Sequence, residues 1–350
     1  MITTECSNNC NYCFVKSQKN YKIIKNDINK IKEKLDLLQS NLYEIVGGEP
    51  FENLDFLKWF FEYNKNNKNV GLFIFTSGLF NIDKFIELAK SYKKVINIAV
   101  SYDGRYSKRN KDNYQIVLNN IKKLKQYFPT TMRWSINIED IPFIYDTFLE
   151  LKSLDIEMPL FFPMKYKDYT KKNIEIFKLN FTKIIDYCIK EQFNFLKLYE
   201  PTSDRCFANK INFSCDDEMT ILPDGKLTNC YVLYTSKNFD ETEVYDDYDL
   251  YLKRKPDLYN KKERCNTCIS VFNCCNKCLG NLREYQLKTG NDFFNSYCDL
   301  INELSIIYIK KVIKNIDSCA KFTFIQGDQG IMKVENINGH ITIFKANGEL

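Results

Sequence analysis

The sequence predicts an α/β fold: an open, partial (β/α)6 TIM barrel followed by a cysteine-rich C-terminal domain. Three observations lead there. Short apolar runs alternate with helical periodicities through the first 165 or so residues, the pattern of βα units on a parallel sheet. Six such units are too few to close an eight-stranded barrel. Beyond residue 200 the alternation stops, and cysteines crowd into a loop-rich stretch from Cys206 to Cys298.

The elements follow in order. Met1–Thr4 reads as a short strand, 24–38 as a helix, and 42–46 as a strand ending at Gly47-Gly48. A helix over 54–63 precedes a strand at 70–75 that ends in Thr76-Ser77-Gly78. A helix over 82–92 leads to a strand at 95–101, which ends at Asp103-Gly104. Next come a helix over 113–127, a strand at 132–138, a helix at 141–151 and a strand at 160–163. A long helix over 172–191 and a strand at 195–199 close this part. Helical periodicity returns at 300–316, and 332–344 has the pattern of a β-hairpin around Asn338-Gly339. The expected domains are therefore 1–200 (barrel), 201–320 (cysteine-rich domain) and 321–350 (hairpin extension). In partial barrels as in closed ones, functional groups collect on the loops after the strands' C-terminal ends. The segment Cys6–Cys13, Gly47–Pro50, Thr76–Gly78 and Ser101–Gly104 all fall there.

Composition excludes several functions. A net charge of +5 is spread over many lysines with no basic block, which argues against a nucleic-acid partner. No secretory signal and no apolar run of about 18 residues is present, so a cytoplasmic protein without a membrane partner is expected. In a reducing compartment the 14 cysteines point to metal or redox chemistry rather than disulfides. The single histidine, His340, leaves little room for Cys/His zinc sites.

Spacing then separates two cysteine sets. Cys6, Cys10 and Cys13 form C-x3-C-x2-C with no fourth cysteine nearby. Three thiolates fill three corners of a [4Fe–4S] cubane and leave one iron open to chelate a small ligand. The second set runs Cys206, Cys215, Cys230, Cys265-x2-Cys268-x5-Cys274-x3-Cys278 and Cys298. Eight thiolates suit two fully ligated cubanes; a pair of zinc ribbons is the competing use of the C-x2-C pairs. Three cysteines remain: Cys188 and Cys319, expected to be structural, and Cys275, which adjoins Cys274.

The triad, with Tyr12 before its last cysteine, resembles the signature of radical S-adenosylmethionine (SAM) enzymes. Gly47-Gly48-Glu49-Pro50 is similar to that family's GGEP segment, and Thr76-Ser77-Gly78 to its TNG-type turn. The C-terminal array resembles a SPASM domain, with four residues between Gly225 and Cys230. The resemblance implies SAM and three [4Fe–4S] clusters as cofactors. It assigns Cys6, Cys10 and Cys13 to the catalytic cluster. Tyr12 is expected near the adenine, the Gly47–Pro50 backbone at the SAM amino group, Ser101 at the ribose and Arg133 at the carboxylate. By the family's interleaving, Cys206, Cys215, Cys230 and Cys278 hold one auxiliary cluster, and Cys265, Cys268, Cys274 and Cys298 the other.

The implied activity is a radical SAM oxidoreductase, a maturase of ribosomally made peptides. SAM is cleaved to a 5′-deoxyadenosyl radical, which takes hydrogen from a peptide or protein side chain to form a thioether or carbon–carbon crosslink. An electron donor of flavodoxin or ferredoxin type is expected, and a leader-binding site on the barrel, on the tail or on a separate protein. The alternatives are sulfatase-maturase-type Ser/Cys oxidation, small-molecule modification, a non-catalytic iron–sulfur partner protein and a zinc interaction module. Sulfatase maturases usually carry an aspartate immediately after the cysteine matching Cys230. Here Tyr231 stands there, as an alternative proton acceptor or a packed ring; Asp216 and Asp217 are the carboxylates nearby in sequence.

Overall fold

A computed structural model describes residues 1–8, 10, 13, 15, 25–38, 40–66, 70–90, 92, 96–155, 157–163, 168–191, 219–228, 244–253, 295–314, 323–327, 330–337 and 340–345. They divide between two compact units. The first comprises Met1–Ile136, Leu149–Phe162 and Cys215–Asp257; the second comprises Asn137–Phe148, Pro163–Ser214 and Leu258–Leu350.

The first unit is built on a sheet of order β1-β2-β3-β4-β5: Leu42–Ile45, Gly71–Thr76, Ile96–Ser101, Thr130–Ile136 and Glu157–Pro163. The pairs β1–β2, β2–β3 and β3–β4 are parallel. The strand expected at Met1–Thr4 is reduced to one parallel bridge, Thr3 to Gly47. Ile2 N–H bonds Val46 O (2.9 Å) and Gly48 N–H bonds Thr3 O (2.8 Å) on either side of it, before the chain leaves for the cysteine loop. The strand expected at 195–199 lies outside the described residues.

Alternation along the strands separates two faces. Leu72, Ile74, Ile98, Val100, Met132, Trp134 and Ile136 are buried. Their neighbours Phe73, Phe75, Asn97, Ser101, Thr131, Arg133 and Ser135 are half-buried. The buried face is the helical one, since Val100 and the helical Val117 both border Gly78. Helices α1 (Ile28–Leu38), α2 (Leu54–Tyr63), α3 (Ile82–Lys90) and α4 (Tyr114–Leu124) present Leu35, Leu57, Phe60, Phe85, Ile121 and Leu124 as buried residues. Asn53 caps α2 by accepting the Phe56 N–H at 3.2 Å. The helix read at 141–151 is observed as α5 (Ile144–Ser153), entered through a 3-10 turn over Ile138–Phe143 that contains Pro142.

A short hairpin, β6 (Thr220–Ile221) with β7 (Leu227–Thr228), also belongs to this unit. Its turn docks on the start of α1. Asp27 N–H bonds Pro223 O at 2.8 Å, and a Cβ on Gly225 would lie 2.3 Å from Lys30 Cβ. Gly225 also has φ +81°. The close approach and the left-handed backbone both require glycine. Tyr245 continues the hairpin beside Leu227, just before α7 (Tyr248–Lys253).

In the second unit, α6 (Lys171–Lys190) starts with a capping box between Thr170 and Asn173. It packs with α8 (Asn295–Lys314), where Lys178 pairs with Glu303 at 3.0 Å and Lys311 with Asp186. Cys188 is fully buried on α6, as a structural residue would be. The expected tail hairpin is β9 (Gly330–Ile337) and β10 (His340–Lys345), joined antiparallel. A third strand, β8 (Thr323–Gly327), pairs with β9 and was not anticipated. Among the described residues no helix is long and apolar enough to cross a membrane.

Candidate active site

The triad sits on a loop pinned at several points. Cys6, Cys10 and Cys13 are each half-buried, and a turn closes between Cys13 N–H and Cys10 O at 3.2 Å. Backbone bonds from Gly48 N–H to Thr3 O (2.8 Å) and from Glu49 N–H to Glu5 O (2.7 Å) hold the approach to Cys6. Within the loop, Ser7 N–H donates to Glu52 Oε1 at 2.7 Å. Glu52 was not singled out in the sequence; its place two residues after Pro50 offered no signal beyond proximity to the Gly-Gly-Glu segment.

The two glycines are explained by this contact. A Cβ on Gly48 would stand 2.0 Å from Glu5 O, and one on Gly47 would stand 2.4 Å from Thr3 O. Both clashes are with main chain, which cannot rotate aside. The sequence Gly-Gly therefore allows one backbone to lie directly against another, at the root of the cysteine loop.

Glu49 ties this segment to the next strand end. Its buried carboxylate accepts from Phe51 N–H (3.2 Å), Thr76 Oγ1 (2.8 Å), Ser77 N–H (2.8 Å) and Ser77 Oγ. Burial raises the Glu49 carboxyl above its ordinary range, and the donors from Ser77, Thr76 and Phe51 oppose that rise. Pro50 is buried beside it and opens the 3-10 turn Pro50–Glu52.

Ser101 and Arg133 end up opposite each other, paired across β3 and β4 on the half-buried face. One rung lower lie Phe75, Ala99 and Thr131, and Arg133 Cζ lies over the Phe75 ring, 4.7 Å from its centroid. The loop after Ser101 is locked by Asp103, whose Oδ1 accepts from Ser135 N–H at 3.0 Å. Its Oδ2 lies 3.5 Å from Arg109, and its own N–H donates to Asn110 Oδ1 at 2.9 Å. Nearby, Arg105 pairs with the buried Glu150 at 3.0 Å. Tyr102 ionises far less readily than an ordinary tyrosine because of burial first, then the Glu150 charge.

The donor set suits a cluster better than a single ion. Among the described residues no three His, Cys, Asp or Glu side chains converge as ligands of one metal ion would. A cubane instead takes one thiolate per iron, so its ligands stand apart. Cys6, Cys10 and Cys13 supply three half-buried thiols, the donor type a cubane takes, from one loop. Tyr12 lies outside the described residues, as do Cys206, Cys215, Cys230, Cys265, Cys268, Cys274, Cys275, Cys278 and Cys319, together with Tyr231, Asp216 and Asp217. Cys298 is described, half-buried on α8.

Residues 1–139 match the family model of the Radical SAM superfamily. No curated protein matches the sequence. Among solved structures, the chain is similar to "Native anSMEcpe with bound AdoMet", with a TM-score of 0.68 at 16% identity over 91% of this chain and 98% of that one. It is also similar to "Native anSMEcpe with bound AdoMet and Kp18Cys peptide", with a TM-score of 0.68 at 17% identity over 90% and 97%. The abbreviation anSME stands for anaerobic sulfatase-maturating enzyme. At these identities the likeness is one of fold.

Proposed function

We propose that this chain is a radical SAM enzyme with a C-terminal SPASM domain that modifies a side chain of a peptide or protein, forming a thioether or carbon–carbon crosslink. The observation that carries this reading is the cysteine loop, rooted on the Gly47–Glu49 backbone at the strand ends of a parallel sheet. Cys6, Cys10 and Cys13 would hold a [4Fe–4S] cluster that keeps one iron for SAM. The bound cluster and SAM would supply reductive carbon–sulfur cleavage and hence a radical able to abstract hydrogen.

This chain's own residues would bind and orient. Gly47, Gly48, Glu49 and Pro50 would offer main chain to the SAM amino group, and Ser101 would face the ribose. Arg133 would pair with the carboxylate, and Tyr12 would serve the adenine. The eight C-terminal cysteines would hold two auxiliary clusters that accept the electron left over when the new bond closes. A peptide substrate is supported by the fold likeness to anSMEcpe, which has been solved with Kp18Cys and Cp18Cys peptides.

That likeness also favours a second reading, oxidation of a Ser or Cys side chain to an aldehyde. Tyr231 in the place of the maturases' usual aspartate weighs against it. One experiment separates the readings: the reconstituted protein is incubated with SAM, dithionite and a peptide encoded beside its gene. Crosslinking gives 5′-deoxyadenosine and a product lighter by two hydrogens that does not react with a hydrazide. A hydrazide-reactive product supports the second reading. Unchanged peptide mass counts against both, and absence of 5′-deoxyadenosine would leave a non-catalytic protein, binding either clusters or zinc.

A further inference from the structure

We propose that Phe75 is a positioning residue for SAM, acting through Arg133; the inference rests on the reading of Arg133 as the partner of the SAM carboxylate. The two residues come from β2 and β4, with β3 between them. At the intervening position β3 carries Ala99, the rung partner of both Phe75 and Thr131. A methyl group there leaves the Arg133 side chain room to lean back across β3, and its guanidinium carbon comes to rest 4.7 Å from the Phe75 centroid. Phe75 is itself fixed by Phe73, edge to face at 4.9 Å.

A long side chain on a half-buried sheet face has many rotamers, and ordering it costs entropy at the moment of binding. A ring beneath the guanidinium lowers that cost in advance. The face of the cation is then engaged by the ring quadrupole, and a guanidinium recognises a carboxylate through its N–H edges rather than its face. The cross-strand partner Ser101 stands on the rung where the carboxylate and ribose ends of one small molecule are both expected.

The test measures SAM affinity of the cluster-loaded protein, with iron content and the cluster's EPR spectrum recorded alongside. Phe75→Leu is expected to weaken SAM binding roughly twofold to thirtyfold, the weight of one cation–π contact, with iron content unchanged. Phe75→Trp should bind as the wild type does. Arg133→Ala should weaken binding, and adding Phe75→Leu to it should change nothing further. Wild-type affinity in Phe75→Leu overturns the inference, as does an equal loss from Phe75→Leu in the Arg133→Ala background. Unchanged affinity in Arg133→Ala overturns the assignment of Arg133 itself. Should leucine lower the iron content, Phe75→Met replaces it in the same comparison.

Discussion

Gly48 and Glu49 act through different physics at the same strand end. Gly48 is constrained by space alone: Gly48→Ala puts a methyl 2.0 Å from Glu5 O. That variant should displace the approach to Cys6 and reconstitute with markedly less iron than the wild type; full iron loading would refute the account. Glu49 is constrained by electrostatics. Its folded-state proton affinity is raised by burial, above the ordinary value of 4.5. Its contribution to stability is therefore complete below the unfolded-state value and is lost as pH rises through the folded one. Glu49→Gln removes this ionisation at the cost of a constant offset, because either Phe51 N–H or Ser77 N–H would face the amide NH2 in place of an accepting oxygen. On cluster-free protein, the unfolding midpoint of Glu49→Gln should gain relative to wild type as pH rises above 4.5. A difference independent of pH would contradict it.

At the scale of elements, the hairpin Thr220–Thr228 is the test case. Its turn carries Pro223-Asp224-Gly225, residue types that turns favour. Nothing in the sequence indicates that this turn lies on α1, because that contact joins segments at opposite ends of the first unit. Gly225→Ala should destabilise the protein by roughly 1–3 kcal/mol, the usual penalty of overpacking, through the Lys30 clash and the positive φ. Thermal denaturation beside an ordinary surface Gly→Ala variant would measure it. The sheet was legible because short apolar runs alternate with helical periodicities, the pattern of βα units on a parallel sheet. The first strand was over-read, since four residues before a cysteine loop can make only one bridge. The strand β8 was missed because Thr323–Gly327 is short and gains meaning only from its pairing with β9.

For the whole molecule, metal content discriminates the readings. Three cubanes would give about twelve irons per chain, and the N-terminal triad alone about four. Cys265→Ser with Cys268→Ser should remove about four irons while SAM still binds. An unchanged iron count would exclude these two as cluster ligands, and zinc in place of iron would favour the zinc-ribbon alternative.

The sequence by itself determined the alternation of strands and helices, and it displayed the cysteine spacings and the four loops expected at one rim. Those are local properties, written in periodicity and in the few residue types that can ligate iron or fit a tight approach. Only the tertiary structure decided that Gly47 and Gly48 serve main-chain contact with Thr3 and Glu5. It alone decided that Glu49 ties two strand ends together, that Glu52 holds Ser7, and that Arg133 rests on Phe75. Each joins groups distant in the chain, through distances of a few ångströms that periodicity cannot encode.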